Sequence, residues 1–241
     1  TAGAPPPAAI LQGVEKLGFN VTQVYGLTET YGHTVMSTWN SDWDNLDAEA
    51  RAKLKARQGA AMVMTAGMRI VDMESGADVP ADGETIGEIL IRGNTIMKGY
   101  LKDQDNTAES LKDGWFHTGD LAVMHAQGYA EIKDRLKDII ISGGENISSV
   151  EIEGVLHKHP AVSLAAVVAL PDEKWGEVPC AFLELLEGKS VSEIEIDTFC
   201  RSHLAGFKRP KKVIFCELPK TATGKIQKYE LRALARSGKL N

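Results

Sequence analysis

A charged pentapeptide, Asp134-Arg-Leu-Lys-Asp138, lies between two apolar strand-like runs, and the periodicity of the chain changes across it. Upstream, short runs at 61–72, 87–92, 120–125 and 129–133 are separated by Pro80-Ala-Asp-Gly83, Asp113-Gly114 and Gln127-Gly128, which predicts a small antiparallel sheet or barrel. Before that sheet, residues 1–18 read as a Gly/Pro-rich loop and then a helix with Ile10, Val14 and Leu17 on one face. Residues 21–25 are strand-like, and 44–58 form a charged, Ala-rich helical stretch. Downstream, an apolar strand at 139–142 ends at Gly143-Gly144. Two capping-box patterns, Ser148-Ser-Val-Glu151 and Ser192-Glu-Ile-Glu195, each open a helix. Strands at 162–170, 180–186 and 212–218 and a last helix at 228–236 complete a compact α+β unit of roughly 100 residues. The prediction is therefore two domains, 1–136 and 137–241, of mixed α/β and α+β class.

Composition excludes several classes. A chain 43% hydrophobic and 25% charged is neither disordered nor collagen-like. Its cysteines, Cys180, Cys200 and Cys216, have no metal spacing, and their odd number argues against a disulfide framework, so a reducing cytoplasm is expected. No apolar run approaches the roughly 18 residues of a membrane span, and the start shows no signal-peptide pattern. The missing initiator Met and the loop-like beginning predict a piece of a longer protein. Charge is uneven: ten Lys/Arg face two Asp/Glu from Gly206 onward, +8 on a chain of net −6, so the first 205 residues carry −14. Such a basic end fits either a polyanion partner or a solvated tail.

Four segments can carry chemistry. Tyr25-Gly26-Leu27-Thr28-Glu29 ends a strand with a flat ring, a glycine, a hydroxyl and a carboxylate, the groups a nucleoside polyphosphate and its metal need together; the other reading is a plain turn. Gly114-Trp-Phe-His-Thr-Gly-Asp120 offers a carboxylate able to accept from a ribose diol or to cap backbone amides. The third runs from Tyr129 through Arg135, Lys137 and Asp138 to Gly143-Gly144-Glu145. The fourth, Pro219-Lys-Thr-Ala-Thr-Gly224-Lys225, fails the Walker pattern because Pro219 stands where its first Gly belongs; what remains is a Thr/Gly loop presenting one lysine.

In this order and spacing, the four segments resemble the AMP-forming acyl-CoA synthetases, the adenylate-forming enzymes that include fatty-acid and aromatic-acid CoA ligases and luciferases. The similarity covers the chain from Gly3-Ala4-Pro5 to the last helix. Residues 42–59 are similar to the medium-chain acyl-CoA ligase branch, and the whole is most similar to bacterial methylmercaptopropionate–CoA ligases. The family's Ser/Thr/Gly-rich phosphate loop is absent, so the resemblance implies the C-terminal portion of a longer enzyme, inactive alone. It implies the end of the large N-terminal domain (strand and helix plus a small antiparallel barrel), followed by a small mobile α+β lid.

The resemblance further implies activation of a short- to medium-chain carboxylic acid as acyl-AMP and its transfer to coenzyme A, with ATP and Mg²⁺. The Gly3-Ala4-Pro5 backbone and the Tyr25 ring would sandwich adenine, and Gly26 would face the carboxylate end of the acyl pocket. Thr28 would contact the α-phosphate, Glu29 would hold Mg²⁺, and Asp120, with Arg135 beside it, would take the ribose hydroxyls. Lys225 would offset charge on the in-line transition state. Lys137 would be the hinge that exchanges Lys225 for Gly143-Gly144 at the thiol step. Lys208, Arg209, Lys211 and Lys212 would meet the CoA phosphates, and His33 reads either as a pocket residue or as a structural one. The implied partners are the acid, ATP, CoA and the missing N-terminal part, with no nucleic acid and no membrane span; a homodimer stays open. Two alternatives remain: loading of a carrier-protein pantetheine, and a non-catalytic nucleotide-binding fragment.

Overall fold

Period-two burial builds both halves of this chain. The computed structural model describes residues 1–3, 8–222 and 224–237, and the chain divides into two units, Thr1–Leu136 and Lys137–Asn241. The first unit begins with α1 (Ala8–Lys16), β1 (Val24–Leu27), β2 (Gly32–Met36), α2 (Ala48–Lys55) and β3 (Ala60–Ala61), the strands forming an antiparallel sheet β1-β2-β3. Next come β4 (Gly67–Val71), β5 (Gly87–Arg92), α3 (Gln104–Ser110), β6 (Leu111–Lys112), β7 (Trp115–Met124) and β8 (Ala130–Arg135). They make a second antiparallel sheet in the order β4-β5-β7-β6, with β8 also paired to β7.

A bridge between Gly59 and Ala130 joins the sheets, and the Gln58 carboxamide oxygen accepts the Ile132 amide at 2.6 Å. No ladder closes the ring among the described residues, so the predicted barrel is an open half-barrel. Its core is Ile70, Ile89, Ile91, Ala122 and Ala130, with Tyr25 of the first sheet packed against it.

Several elements differ from expectation. The run 61–72 is not one strand, because the Thr65 amide turns back to the Met62 carbonyl. Asp47 caps α2 by accepting the Ala50 amide at 2.8 Å, so that helix starts later than residue 44. Among the described side chains of α1, Leu11 is buried and Ile10 exposed, and Leu17 lies beyond the helix end. Strand β7 begins five residues before the predicted 120, because Thr118-Gly119 forms a bulge within it rather than a turn.

The second unit contains β9 (Ile140–Ser142), β10 (Glu145–Ile147), α4 (Ser149–Leu156), β11 (Val162–Asp172), β12 (Gly176–Leu185), α5 (Glu193–Arg201), β13 (Lys212–Phe215) and α6 (Lys228–Arg236). The sheet order is β10-β9-β12-β11, with β13 parallel to β12. Successive side chains of a strand point to opposite faces. Ala165, Val167, Ala181 and Leu183 accordingly face one core with Ile152, Leu156 and Ile196 of α4 and α5. Ala166, Val168, Cys180 and Phe182 face the other with Leu231 and Ala235 of α6. Burial on both faces explains why residues 164–170 read as an unbroken apolar run rather than an alternating one. Both predicted N-caps form: Ser148 accepts the Glu151 amide, and Ser192 and Glu195 make a full capping box.

Burial pushes the Cys180 thiol up to about 12 and the Cys200 thiol up to about 11, and both side chains are shut away from water. Cys216 is half-buried. A thiol-specific reagent at pH 8 should therefore modify Cys216 first and reach Cys180 and Cys200 only as the chain unfolds. Mass spectrometry of partly labelled protein checks the order; early labelling of Cys180 would contradict this packing of the second unit.

Candidate active site

In the first unit, residues 95 positions apart meet. The Tyr25 hydroxyl donates to Asp120 Oδ2 at 2.8 Å, and Arg135 Nε lies 3.2 Å from Asp120 Oδ1. Asp120 and Arg135 are cross-strand partners in β7 and β8. Asp120 is only 5% exposed, so its charge is held by these neighbours rather than by bulk water. Burial, then the Asp120 charge, pushes the Tyr25 hydroxyl well above the usual tyrosine range, so it stays a donor at neutral pH.

Beyond Tyr25, β1 runs into a 3₁₀ turn, Thr28–Thr30. The buried Thr30 hydroxyl holds this turn: it accepts the Leu27 amide at 2.9 Å and lies 3.0 and 2.6 Å from the Leu27 and Gly32 carbonyl oxygens. Thr28 is left exposed and Glu29 half-buried. Glu29 Oε1 accepts from the Tyr100 hydroxyl at 3.1 Å, and its backbone carbonyl accepts the Met97 amide. Gly26 has a packing reason to be glycine, since an added Cβ would lie 1.9 Å from the Gly32 carbonyl oxygen. The Thr1 carbonyl accepts the Val24 amide, which runs the first residues beside β1; Gly3 there has φ +91°. Ala4 and Pro5 lie outside the described residues. His33 is exposed in β2, opposite Gly26.

Fit to Mg²⁺ rests on the donor set. Among the described residues, no cluster of three or more His, Cys, Asp or Glu side chains could hold a metal alone. One half-buried carboxylate, Glu29, at the end of a turn fits an ion that takes most of its ligands from phosphate oxygens and water.

In the second unit, Gly143 and Gly144 are the two central residues of the hairpin that closes β9 on β10, with φ of +61° and +88°. A two-residue turn of the I′ kind requires positive φ at both places, which glycine adopts without strain. The Gly143 amide donates to the Trp175 carbonyl at 2.8 Å, and a Cβ there would lie 2.9 Å from the Trp175 ring. Trp175 thus packs over the glycine turn. Around Gly144, nothing stands within 4 Å of an added Cβ.

Lys225 is exposed on a small hairpin based on a Lys220–Ile226 bridge. The Thr221 amide donates to the Lys225 carbonyl, and the Thr221 hydroxyl accepts the Lys225 amide. At the hairpin base, Glu184 Oε2 accepts the Leu218 amide at 3.1 Å and the Lys220 ammonium at 2.8 Å. After the hairpin, Lys228 of α6 pairs with Glu153 and donates to the Ser149 hydroxyl, both at 2.7 Å. One turn further on, Arg232 pairs with Asp138. Lys137, between Leu136 and Asp138, is exposed. Of the basic residues named for CoA, Lys208 pairs with Glu151 and Arg209 with Asp197, so both already have acidic partners. Tyr100, Glu88, Glu184 and Trp175 carry no site signal in the sequence, since each acts through a neighbour distant in sequence, whereas Thr30 acts on Leu27 and Gly32 within three residues of it.

Comparison with known proteins gives a consistent result. Residues 1–101 match the AMP-binding enzyme family, and residues 151–225 match the AMP-binding enzyme C-terminal domain. The chain is 55% identical over 240 residues to 2-methylpropanoate–CoA ligase CCL4 of Humulus lupulus, covering 98% of this chain and 43% of that protein. It is 51% identical over 241 residues to the peroxisomal acetate/butyrate–CoA ligase AAE7 of Arabidopsis thaliana, covering 98% and 42%. Among solved structures, ATP-bound MatB from Rhodopseudomonas palustris superposes with a TM-score of 0.85 at 31% identity, covering 97% of this chain and 44% of that one. The o-succinylbenzoate–CoA synthetase MenE of Bacillus subtilis, with its acyl-adenylate, gives 0.81 at 34%, covering 96% and 45%. The chain spans less than half the length of these relatives.

Close packing at Gly26 makes a specific prediction. Gly26→Ala should force β1 and β2 apart and cost at least about 1–3 kcal/mol in urea unfolding. Gly13→Ala in α1, where an added Cβ meets nothing within 4 Å, should be neutral or stabilising by about 0.5–1 kcal/mol. Equal unfolding midpoints for the two variants would contradict the close approach.

Proposed function

Because the chain belongs to the AMP-forming acyl-CoA synthetase family, we propose that it is the C-terminal portion of an acid–CoA ligase. In this reading the whole enzyme activates a short- to medium-chain monocarboxylic acid with ATP and passes the acyl group to coenzyme A. The names of its relatives, ligases of acetate, butyrate and 2-methylpropanoate, favour the short end of that range. The observation that carries the reading is the meeting of Tyr25, Asp120 and Arg135 beside the turn that holds exposed Thr28 and half-buried Glu29. Aromatic face, diol acceptor, hydroxyl and carboxylate stand together on one unit, as recognition of a nucleotide requires.

The roles follow from the chemistry of each group. Asp120 accepts the ribose hydroxyls, and Arg135 with Tyr25 keeps it oriented. Tyr25 and the backbone at Gly3 border adenine, and Gly26 faces the carboxylate end of the acid. Thr28 donates to the α-phosphate. Glu29 would hold Mg²⁺, which would supply charge neutralisation for the phosphates. Lys225 places a cation where negative charge accumulates as the carboxylate attacks the α-phosphorus and pyrophosphate leaves. Its hairpin is supported from below by the Glu184–Lys220 and Glu153–Lys228 pairs, which limit how far that cation wanders.

For the second half-reaction, in which the CoA thiol attacks the acyl carbonyl and AMP leaves, Lys137 serves as the hinge. Exposure of Lys137 and the immediate Asp138–Arg232 pair support this assignment, because the chain is tied down just past the pivot. Gly144 leaves room for the pantetheine arm. Exposed Lys211 and half-buried Lys212 are better placed for CoA phosphates than the paired Lys208 and Arg209. Unpaired cysteines fit a reducing, cytoplasmic setting. Among the described residues, no helix is long and apolar enough to cross a membrane.

The test uses the gene with its upstream half restored. Pyrophosphate release from ATP should require a C2–C10 acid and turn over only with CoA; acid-dependent exchange without CoA turnover would favour a carrier protein as acceptor. Lys225→Ala should lower adenylation roughly 10²–10³-fold, while the thiol step from supplied acyl-AMP is spared. Equal loss of both steps would remove Lys225 from its role. Lys137→Pro, which locks φ, should do the reverse, impairing thioester formation far more than adenylation.

A further inference from the structure

The stretch of β7 that carries Asp120 is not held by its own ladder. In the β5–β7 pairing, Glu88 stands opposite Leu121, and the next pair is Leu90 with His117. Thr118, Gly119 and Asp120 therefore face a single residue of β5, Ile89, and two residues bulge out of register. A bulge strips backbone amides of their partners, and at a buried place each must find a replacement.

Two side chains supply the replacements. Glu88 Oε1 accepts the Gly119 amide at 3.0 Å, and Glu88 Oε2 lies 2.8 Å from His117 Nδ1. The Thr118 hydroxyl donates to the Ile89 carbonyl at 2.7 Å and accepts the Asp120 amide at 3.1 Å. Gly119 has φ +68°, a left-handed conformation suited to glycine and reached here by that bulge. Glu88 is largely buried, with 14% of its side chain exposed, and its carboxylate grips the bulge on both sides of Thr118. From the far end of the bulge, Asp120 reaches Tyr25 and Arg135.

We infer that Glu88 is a positioning residue for nucleotide recognition: by clamping His117 and Gly119 it sets the height and tilt at which Asp120 meets the ribose. The inference rests on the ribose role proposed for Asp120. Glu88 itself touches neither nucleotide nor acid. A carboxylate suits the task because its two oxygens accept from two directions at once, and because a misplacement of even half an ångström degrades a preorganised contact.

The experiment is acid-dependent ATP–pyrophosphate exchange by the full-length enzyme, with ATP and with 2′-deoxy-ATP and 3′-deoxy-ATP. Glu88→Leu should raise KM for ATP roughly tenfold, leave KM for the acid unchanged, and reduce the preference for ATP over the deoxy analogues. Asp120→Asn should reduce the same preference, and the double variant should be no worse than Asp120→Asn alone. Glu88→Gln keeps an acceptor for the Gly119 amide and should restore most of the preference. Thr118→Val removes the other half of the clamp and should mimic Glu88→Leu, which keeps the test available if Glu88→Leu does not fold. Loss of rate with all three nucleotides alike, at unchanged preference in the Glu88 and Thr118 variants, would overturn the inference and leave Glu88 a packing residue. Unchanged preference in Asp120→Asn would overturn the ribose reading first, and this inference with it.

Discussion

A backbone amide taken out of its ladder must find another acceptor, and in this chain the acceptor is repeatedly a carboxylate. Glu88 takes the Gly119 amide, Glu177 the Ile141 amide, Glu153 the Val167 amide and Glu184 the Leu218 amide. Two of these sit where a regular element gives way to a candidate functional side chain: Glu88 at the bulge before Asp120, and Glu184 at the base of the hairpin that carries Lys225. Irregular backbone can carry a functional side chain in a buried place, provided a side chain satisfies what the ladder no longer does.

That constraint also explains how the acidic excess is used. Several of the carboxylates behind the −14 of the first 205 residues are internal acceptors rather than solvated surface charges. In the second unit, Glu184, Glu153 and Asp138 each pair with a base from the +8 segment: Lys220, Lys228 and Arg232. The basic segment is thereby held against acids of its own unit, and part of its charge is spent there. The hydrogen bond from Lys220, followed by the Leu218 amide, holds the Glu184 carboxyl below the usual carboxylate range. A carboxyl lowered on folding contributes its stabilisation above the ordinary value of about 4.3, and loses it as the pH falls through the depressed one. Support for the Lys225 hairpin is therefore in place at neutral pH and goes only in acid.

The glycines show that one residue can satisfy two demands. Gly143 and Gly144 close a two-residue turn that needs positive φ, and Gly26 allows β2 to approach β1. Each is accounted for by local backbone geometry before any substrate is considered. The function proposed for Gly144 uses the same lack of a side chain from the open side of the turn, so structural and functional reasons coincide there rather than compete.

Sequence alone determined what depends on near neighbours. The change of period near 134–138, the caps at Ser148 and Ser192, strands β9, β11, β12 and β13 and the four motifs are all written in residues within a few positions of one another. Family resemblance added the fold, because motif order is itself a sequence property. Tertiary structure alone decided the rest. Strand β2 and the hairpin strand β10 carry weak local patterns and exist because a partner is there to pair with. Thr118-Gly119 reads as a turn by composition and becomes a bulge within a ten-residue strand because β5 and β8 flank it. The carboxylate of Asp120 is fixed by Tyr25 and Arg135, and the Gly119 amide just before it by Glu88, across separations of 95, 15 and 31 residues. No local pattern encodes such contacts, because the burial that makes a hydrogen bond obligatory arises only once the sheets have packed.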